Sequence, residues 1–100
     1  MLTVVAKLKV KADRATAFEA EAEKMLAHVR ANEPGTLTYI CHRSTADPTL
    51  YLFYEVYRDQ AAFAAHGGSQ AMQAFFAAMG GIVDGRPAIE MYEAIGDAKG

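Results

Sequence analysis

The segment Leu50-Tyr51-Leu52-Phe53-Tyr54-Glu55-Val56-Tyr57 decides the fold, because it is almost wholly apolar or aromatic and carries a single charge. Its composition predicts a β-strand. Successive side chains of a strand point to opposite faces, which divides the segment into two sets. One set is Leu52, Tyr54 and Val56, and the other is Tyr51, Phe53, Glu55 and Tyr57. Both faces of this strand are therefore suited to burial.

The turn before this segment predicts its first partner. Residues 36–44 form another extended pattern, and Asp47-Pro48 separates the two. Asp can hydrogen-bond its own backbone, and Pro fixes φ for a turn. The two segments therefore predict an antiparallel hairpin.

The flanking patterns complete the order strand, helix, strand, strand, helix pair, strand. Residues 2–10 alternate as a strand, and residues 86–95 form the last one. Asp13 is expected to cap a long first helix, which Glu33-Pro34-Gly35 ends. Asp59 and Ser69 are expected to cap two short helices, the first over residues 60–66. This order predicts an α+β, ferredoxin-like βαββαβ protomer with a four-stranded antiparallel sheet and both helical regions on one face.

A sheet covered on one face leaves the second apolar face of residues 50–57 open to water. At about 25 cal/mol per Å², several exposed aromatic side chains are costly and prone to aggregation. We expect a second copy to pack sheet against sheet in a two-fold homodimer. The alternative is a monomer whose tail or loops cover that face.

Composition bounds the class of protein. The 100 residues predict one domain, residues 1–100, with a flexible tail at residues 96–100. Ten Lys and Arg against twelve Asp and Glu give a net charge of −2, which argues against nucleic-acid and membrane partners. The single cysteine, Cys41, forms no internal disulfide, and no signal peptide or membrane span of roughly 20 apolar residues is visible. The expected location is the cytoplasm.

Motifs for common cofactors are absent from the sequence. There is no GxGxxG and no GxxxxGK[ST], so no phosphate cradle is predicted. His28, His42, His66 and Cys41 do not follow a zinc-binding spacing. We therefore expect no metal and no cofactor.

Two residues are candidates for chemistry. Glu55 lies in an apolar strand, so burial could raise its pKa and make it a general acid or base. The alternative for Glu55 is a structural ion pair, for example with Arg43. His66 ends a short helix before Gly67-Gly68, and imidazole titrates near neutral pH. It could be a proton acceptor, or simply a residue stabilised by the helix dipole.

Four short motifs carry a family resemblance. They are Glu33-Pro34-Gly35, Asp47-Pro48, Tyr54-Glu55 and Ala65-His66. At these spacings the chain resembles the antibiotic biosynthesis monooxygenase (ABM) family nearly from end to end. The joint pattern is specific for the fold family and much less specific for an activity.

The resemblance implies a dimeric α+β barrel, in agreement with the two-sided strand. It also implies small enzymes that oxidise quinols, anthrones or similar aromatics with O2, without a metal or flavin. A base removes a proton, and the electron-rich anion passes an electron to O2 in a dry pocket. The glutamate and the first histidine of the family correspond to Glu55 and His66.

The chain departs from the family pattern at two points. Many relatives carry a second histidine five residues after the first, where this chain has Ala71. The absence of Trp, together with Phe76 near the position of a later histidine, argues against the haem-degrading branch. The segment from Tyr54 to His66 also resembles the branch that isomerises a phosphorylated autoinducer-2 sugar, and the missing second histidine weighs against that reading.

The leading hypothesis is a cofactor-independent monooxygenase that oxidises a small quinol or polyphenol with O2. His66 is the expected general base, and Glu55 is expected to hold His66 or a pocket water. The expected pocket lining is Tyr39, His42, Tyr51 and Phe63. One alternative is an isomerase of a small keto-sugar phosphate, which also needs an arginine for the phosphate. The other is a dimeric ligand-binding module without catalysis.

Overall fold

The computed structural model describes residues 1–99. Its elements are β1 (Leu2–Lys9), α1 (Ala15–Asn32), β2 (Thr36–Arg43), β3 (Leu50–Tyr57), α2 (Gln60–Gly67), α3 (Gln70–Ala78) and β4 (Ala88–Glu93). The four strands form one antiparallel sheet in the order β2-β3-β1-β4. The predicted ferredoxin-like α+β fold is confirmed.

The register of the sheet pairs Glu55 of β3 with a residue on each neighbouring strand. Glu55 lies opposite Val4 of β1 and opposite Tyr39 of β2. Because paired residues share a face, these three side chains lie on the same side of the sheet. That side is the one covered by the helices.

The core lies between this face and the helices. It is formed by Leu8, Val10, Phe18, Ala22, Met25, Val29, Tyr51, Phe53, Phe75, Met79 and Ile82. Phe18 of α1 packs against Tyr51, Phe53 and Phe75, with ring centroids 4.5–6.2 Å apart. Burial of these large rings shows that the set Tyr51, Phe53, Glu55 and Tyr57 of β3 faces the helices and forms the centre of the core.

No helix of residues 1–99 covers the opposite face of the sheet. Ile40, Tyr54 and Tyr92 there are 47%, 40% and 52% exposed. The register puts Ile40 beside Tyr54 across the β2–β3 pair, and Val5 beside Tyr54 across the β1–β3 pair. The apolar outer face expected from the sequence is therefore present in the single chain. None of residues 1–99 lies in a helix long and apolar enough to cross a membrane.

Several local predictions need correction. Asp13 does not cap the first helix: it lies in the short 3₁₀ turn Ala12–Arg14, and α1 begins after Arg14, whose side chain makes no capping bond. The last strand is shorter than residues 86–95, because Pro87 has no N–H to donate to the ladder.

Other local predictions are confirmed. Asp59 caps α2 by accepting a bond from the Ala62 amide at 2.9 Å, and Ser69 caps α3 by accepting from the Met72 amide at 3.1 Å. Residues 96–99 form no helix or strand. The rest of the predicted tail, Gly100, lies outside the described residues.

The turn after α1 packs tightly against α2. Gly35 is buried, and a Cβ placed on it would lie 2.7 Å from the Ala62 Cβ. We therefore expect Gly35→Ala to destabilise the fold by about 1–3 kcal/mol through overpacking. Gly80→Ala is the matched control, because a Cβ there meets nothing within 4 Å, and its effect is expected below about 0.5 kcal/mol. Urea unfolding of both variants checks this, and equal midpoints would contradict the tight contact.

Candidate functional site

A cavity of about 230 Å³ lies between the sheet and the two short helices. Its apolar walls include Val4, Ala6, Phe53, Phe63, Met72 and Phe75. Two titratable side chains, Glu55 and His66, line the same space. At the edge, Phe76 and Ile89 are 58% and 56% exposed, which marks the mouth between α3 and β4. The cavity is thus an apolar chamber with an acid and an imidazole in its walls.

Glu55 is buried on the helix-facing side of β3. Its Oε1 accepts a hydrogen bond from the Tyr57 hydroxyl at 2.6 Å. Burial raises the pKa of the Glu55 carboxyl to about 7; the Tyr57 bond opposes this shift, and the charge of Glu33 adds to it. Arg43, the ion-pair partner considered from the sequence, contacts Glu19 instead at 3.2 Å. Glu55 therefore exchanges a proton near neutral pH.

His66 is 2% exposed, and its two ring nitrogens have different surroundings. Nδ1 lies 2.8 Å from Glu33 Oε1 and 3.1 Å from Oε2. Nε2 is buried and has no hydrogen-bond partner among the described residues. Burial lowers the pKa of His66, while the Glu33 charge acts in the opposite direction. His66 is thus a neutral imidazole near pH 7 with one nitrogen unused.

The face of α2 explains why Glu33 meets His66. Ala62 and His66 are four residues apart, so both lie on the same side of the helix. Ala62 is the residue against which Gly35 packs, and Glu33 precedes Gly35 by two positions. The Arg58 amide also donates to the Gly35 carbonyl at 2.9 Å, which holds the turn beside the start of α2. The close approach of the turn therefore brings the Glu33 carboxylate to the imidazole.

Two of the four predicted lining residues reach this cavity. Tyr39 and Phe63 line it, and the Tyr39 ring lies 5.0 Å from the His66 ring. His42 is on the opposite face of the sheet, where its Nδ1 lies 3.3 Å from the Leu52 carbonyl oxygen. Tyr51 is on the helix-facing side, but its hydroxyl donates to Glu19 beside a separate, more open groove. Strand alternation therefore separates His42 from the chamber, whereas Tyr51 shares the face of the chamber but lies beside Glu19 of α1.

Glu55 and His66 share the chamber, but the hydrogen-bond partner of each is a different residue. Glu55 bonds Tyr57, and His66 bonds Glu33. The Tyr57 side chain is near both residues: its hydroxyl donates to Glu55, and its ring centroid lies 5.6 Å from that of His66. Within residues 1–99, Glu55 therefore makes no hydrogen bond to His66 that would hold the imidazole.

The comparisons with known proteins decide the family. The family model of antibiotic biosynthesis monooxygenase matches residues 1–78. The chain belongs to the antibiotic biosynthesis monooxygenase family. A crystal structure of a Caulobacter crescentus CB15 protein assigned to the same family is 39% identical, with a TM-score of 0.91 over 95% of this chain and 90% of that one.

Other solved structures share the fold at lower identity. A Nitrosomonas europaea protein assigned to the family is 22% identical, with a TM-score of 0.87 over 95% of this chain and 99% of that one. Rv0793 from Mycobacterium tuberculosis is 22% identical, with a TM-score of 0.89 over 98% of both chains. No curated protein matches the chain.

Sequence reasoning on the ABM motifs missed two residues of the site. The sequence patterns place Glu33 in the Glu33-Pro34-Gly35 motif that ends the first helix, and they assign neither Glu33 nor His28 to the site. In the structure His28 Nε2 lies 2.8 Å from Glu33 Oε2. The signal that the sequence offers is the glycine two residues after Glu33, since a glycine can permit a close approach that also brings its neighbours close. Within residues 1–99, no group of three or more His, Cys, Asp or Glu is arranged to hold a metal ion.

The raised pKa of Glu55 predicts a pH-dependent cost to stability. The folded state favours the protonated carboxyl of Glu55. The contribution of Glu55 to the free energy of unfolding is therefore fully present below the unfolded pKa of 4.5 and is lost as the pH rises through about 7. Glu55→Gln keeps the bond from Tyr57 without the charge. We expect the variant to exceed the wild type in unfolding free energy at pH 8, by on the order of 3 kcal/mol at most, and to match it near pH 4. Urea unfolding at both pH values tests this; a gap independent of pH would contradict it.

Proposed function

We propose that the protein is a monooxygenase that oxidises a small quinol or polyphenol with O2 and uses no metal or flavin. The observation that carries the proposal is the presence of Glu55 and His66 in the walls of one apolar chamber. An apolar chamber excludes water and favours proton transfer between buried groups. Membership of the ABM family supports the same class of chemistry.

The size of the chamber favours a small substrate. Ligand pockets for drug-sized molecules enclose roughly 300–1,000 Å³. The 230 Å³ found here is smaller and suits one or two aromatic rings. Tyr39, Phe63 and Phe75 offer ring faces to a flat ligand.

The protonation states support His66 as the first base. Burial lowers the pKa of His66, so its ring is neutral near pH 7, and Nε2 is free to accept a phenolic proton. Glu55, whose pKa is about 7, supplies a second site for a proton on the opposite wall. Burial raises the pKa of Tyr39, which stays a neutral hydroxyl and a donor for a substrate oxygen.

The reaction balances without an external reductant. A quinol loses a proton to His66, and its anion passes one electron to O2. Combination of the two radicals forms a peroxide on a ring carbon. The returned proton makes this peroxide a hydroperoxide. Its O–O bond then breaks as the same ring carbon loses its hydrogen as a proton, so one oxygen stays on the ring as a carbonyl. The other oxygen leaves as water, which carries both the returned proton and the proton lost from the carbon. One quinol and one O2 thus give one hydroxyquinone and one water, with the substrate supplying all electrons.

The isomerase alternative lacks support in the chamber. A sugar phosphate needs a cation, and the three candidates are Arg43, Arg58 and Arg86. Arg43 pairs with Glu19 outside the chamber, and Arg58 lies 3.6 Å from Asp59. Arg86 is also not among the residues that line the chamber. A binding module without turnover remains an outcome of the test below.

Oxygen uptake with a panel of small quinols tests the proposal. We expect His66→Ala to lower kcat by roughly 10²–10⁴-fold, the usual contribution of general acid–base catalysis. Glu55→Gln is expected to lower it less and to remove a titration near pH 7 from the rate profile. His42→Ala is the chemically matched control on the opposite sheet face, with kcat within about twofold of the wild type. Activity that survives dialysis against a chelator supports cofactor independence.

Two results would oppose this proposal. Tight binding of quinols with no oxygen uptake would make the protein a binding module. Equal rates for the wild type, His66→Ala and Glu55→Gln would remove both residues from the mechanism.

We also propose that the working form is a homodimer in the cytoplasm, joined through the outer face of the sheet. The support is the set of exposed apolar side chains around Tyr54 on the central strands. Two such faces packed together would remove them from water, as a closed two-fold dimer requires. Burial raises the pKa of Cys41 to about 11, which suits a thiol that stays reduced.

The dimer predicts a solution mass twice the 10.8 kDa of one chain. Tyr54→Lys introduces a charge at the centre of the outer face, and we expect it to shift the mass to that of one chain. Phe76→Lys is the matched control, since Phe76 is 58% exposed on the helical side. Light scattering after gel filtration measures both, and a wild type with the mass of a single chain would refute the dimer.

A further inference from the structure

We propose that Glu33 is a positioning residue that fixes the tautomer of His66 and stabilises its protonated form, and that His28 anchors the Glu33 carboxylate. This inference rests on the proposed function in one respect, because there His66 accepts the substrate proton. It adds two residues from outside the chamber walls, one at the C-terminal end of α1 and one in the turn that follows.

Three neighbours hold the Glu33 carboxylate in place. The Thr36 hydroxyl donates to Oε1 at 2.7 Å, and His66 Nδ1 lies 2.8 Å from the same oxygen. His28 Nε2 lies 2.8 Å from Oε2. The Glu33 side chain is only 9% exposed, so these contacts replace most of its water. A carboxylate held from both sides has little freedom to rotate away from His66.

The Glu33 contact determines which nitrogen of His66 carries the proton. An ionised carboxylate accepts hydrogen bonds and donates none, so the nitrogen that faces it must be Nδ1–H. The neutral ring then has its lone pair on Nε2. That atom is buried and has no hydrogen-bond partner among residues 1–99, which is unfavourable for a polar atom. Because His66 lines the chamber, we expect a substrate hydroxyl to complete this bond.

The outer contact holds the His28 ring from its other side. The Asn32 side-chain nitrogen lies 3.3 Å from His28 Nδ1, and the Asn32 amide also donates to the His28 carbonyl oxygen at 3.2 Å. The Nε2–Glu33 distance is that of an ion pair, although the N–H direction is not aligned for a hydrogen bond. Side-chain exposure increases from 2% at His66 through 9% at Glu33 to 24% at His28. The carboxylate is thus anchored from its solvent side.

The proton balance follows from this arrangement. When Nε2 takes the phenolic proton, the imidazolium lies directly against the Glu33 carboxylate. The positive charge is then paired while O2 is reduced, and the same proton returns to the oxygen that leaves as water. No proton has to cross to solvent in this sequence.

The groups that face His66 predict opposite effects for two substitutions. Glu33 raises the pKa of His66 and His28 lowers it, while the rings of Tyr39 and Tyr57 lie beside it as neutral phenols. Glu33→Gln should therefore lower the pKa of His66, and His28→Gln should raise it. A merely structural role in packing would not give shifts of opposite sign.

Nitrogen-15 NMR of the ligand-free protein tests the positioning role without any turnover. In the wild type we expect the Nδ1–H tautomer of His66. In Glu33→Gln, whose side-chain amide can donate to Nδ1, we expect a mixture of tautomers and a lower pKa. Thr36→Val is the matched control: it removes one bond to the carboxylate but keeps the charge, so the His66 tautomer should remain. An unchanged tautomer and pKa in Glu33→Gln would overturn the inference.

Kinetics provide the second readout. Glu33 does not line the chamber, so Glu33→Gln should lower kcat with KM unchanged, by less than the roughly 10²–10⁴-fold expected for loss of the base. The acid limb of the rate profile should move to lower pH. If Glu33→Gln fails to fold, Glu33→Asp replaces it, because the shorter side chain keeps the charge but cannot reach Nδ1 from the same backbone.

The two proposals fail separately. Tautomer control in the NMR experiment with no quinol oxidation would support the positioning role and refute the oxidation chemistry. Quinol oxidation with unchanged NMR behaviour in Glu33→Gln would refute the positioning role alone.

Discussion

The structure depends on one strand that has to be buried on both sides. On its helix-facing side, β3 presents Tyr51, Phe53, Glu55 and Tyr57 in strict alternation. The rings form the centre of the core, and the carboxyl between them cannot be moved to water without turning the whole strand over. The position of Glu55 is therefore a consequence of the register that buries its neighbours. The same register exposes Tyr54 and Val56 to the other side, where a single chain provides no cover.

The chamber exists because the two short helices do not fill the space above the sheet. The long helix α1 packs Phe18 onto Tyr51 and Phe53 of β3, and α3 packs Phe75 beside it. The side chains of α2 and α3 leave a space beside β1 and β4 whose lining is mostly apolar and includes Glu55, His66 and Tyr39. Burial acts on these two groups in opposite directions, raising the pKa of the acid and lowering that of the imidazole. Both shifts bring uncharged forms within reach of neutral pH, which is the condition for proton exchange in a dry site.

The sequence predicted what depends on periodicity. Alternation in residues 50–57 and the turn at Asp47-Pro48 were enough for the hairpin, and the order of elements was enough for the topology. Periodicity could not give the side of the sheet on which His42 lies relative to the chamber, because that depends on the pairing of β2 with β3. Nor could it pair His66 with Glu33, since these residues are 33 positions apart and meet only through tertiary packing. The prediction that Asp13 caps α1 was wrong for a local reason, because Asp13 lies within a 3₁₀ turn that precedes α1.

The turn after α1 links stability to chemistry. Gly35 permits contact with Ala62, and one helical turn later His66 meets the carboxylate that precedes the glycine by two residues. A side chain at position 35 would push the turn from α2 and lengthen the distance from Glu33 to the imidazole. Gly35 thus determines the distance between Glu33 and His66, although Gly35 itself packs against Ala62. Packing that holds α2 against the turn also holds the Glu33 carboxylate at His66 Nδ1, so this contact belongs to the fold of the single chain.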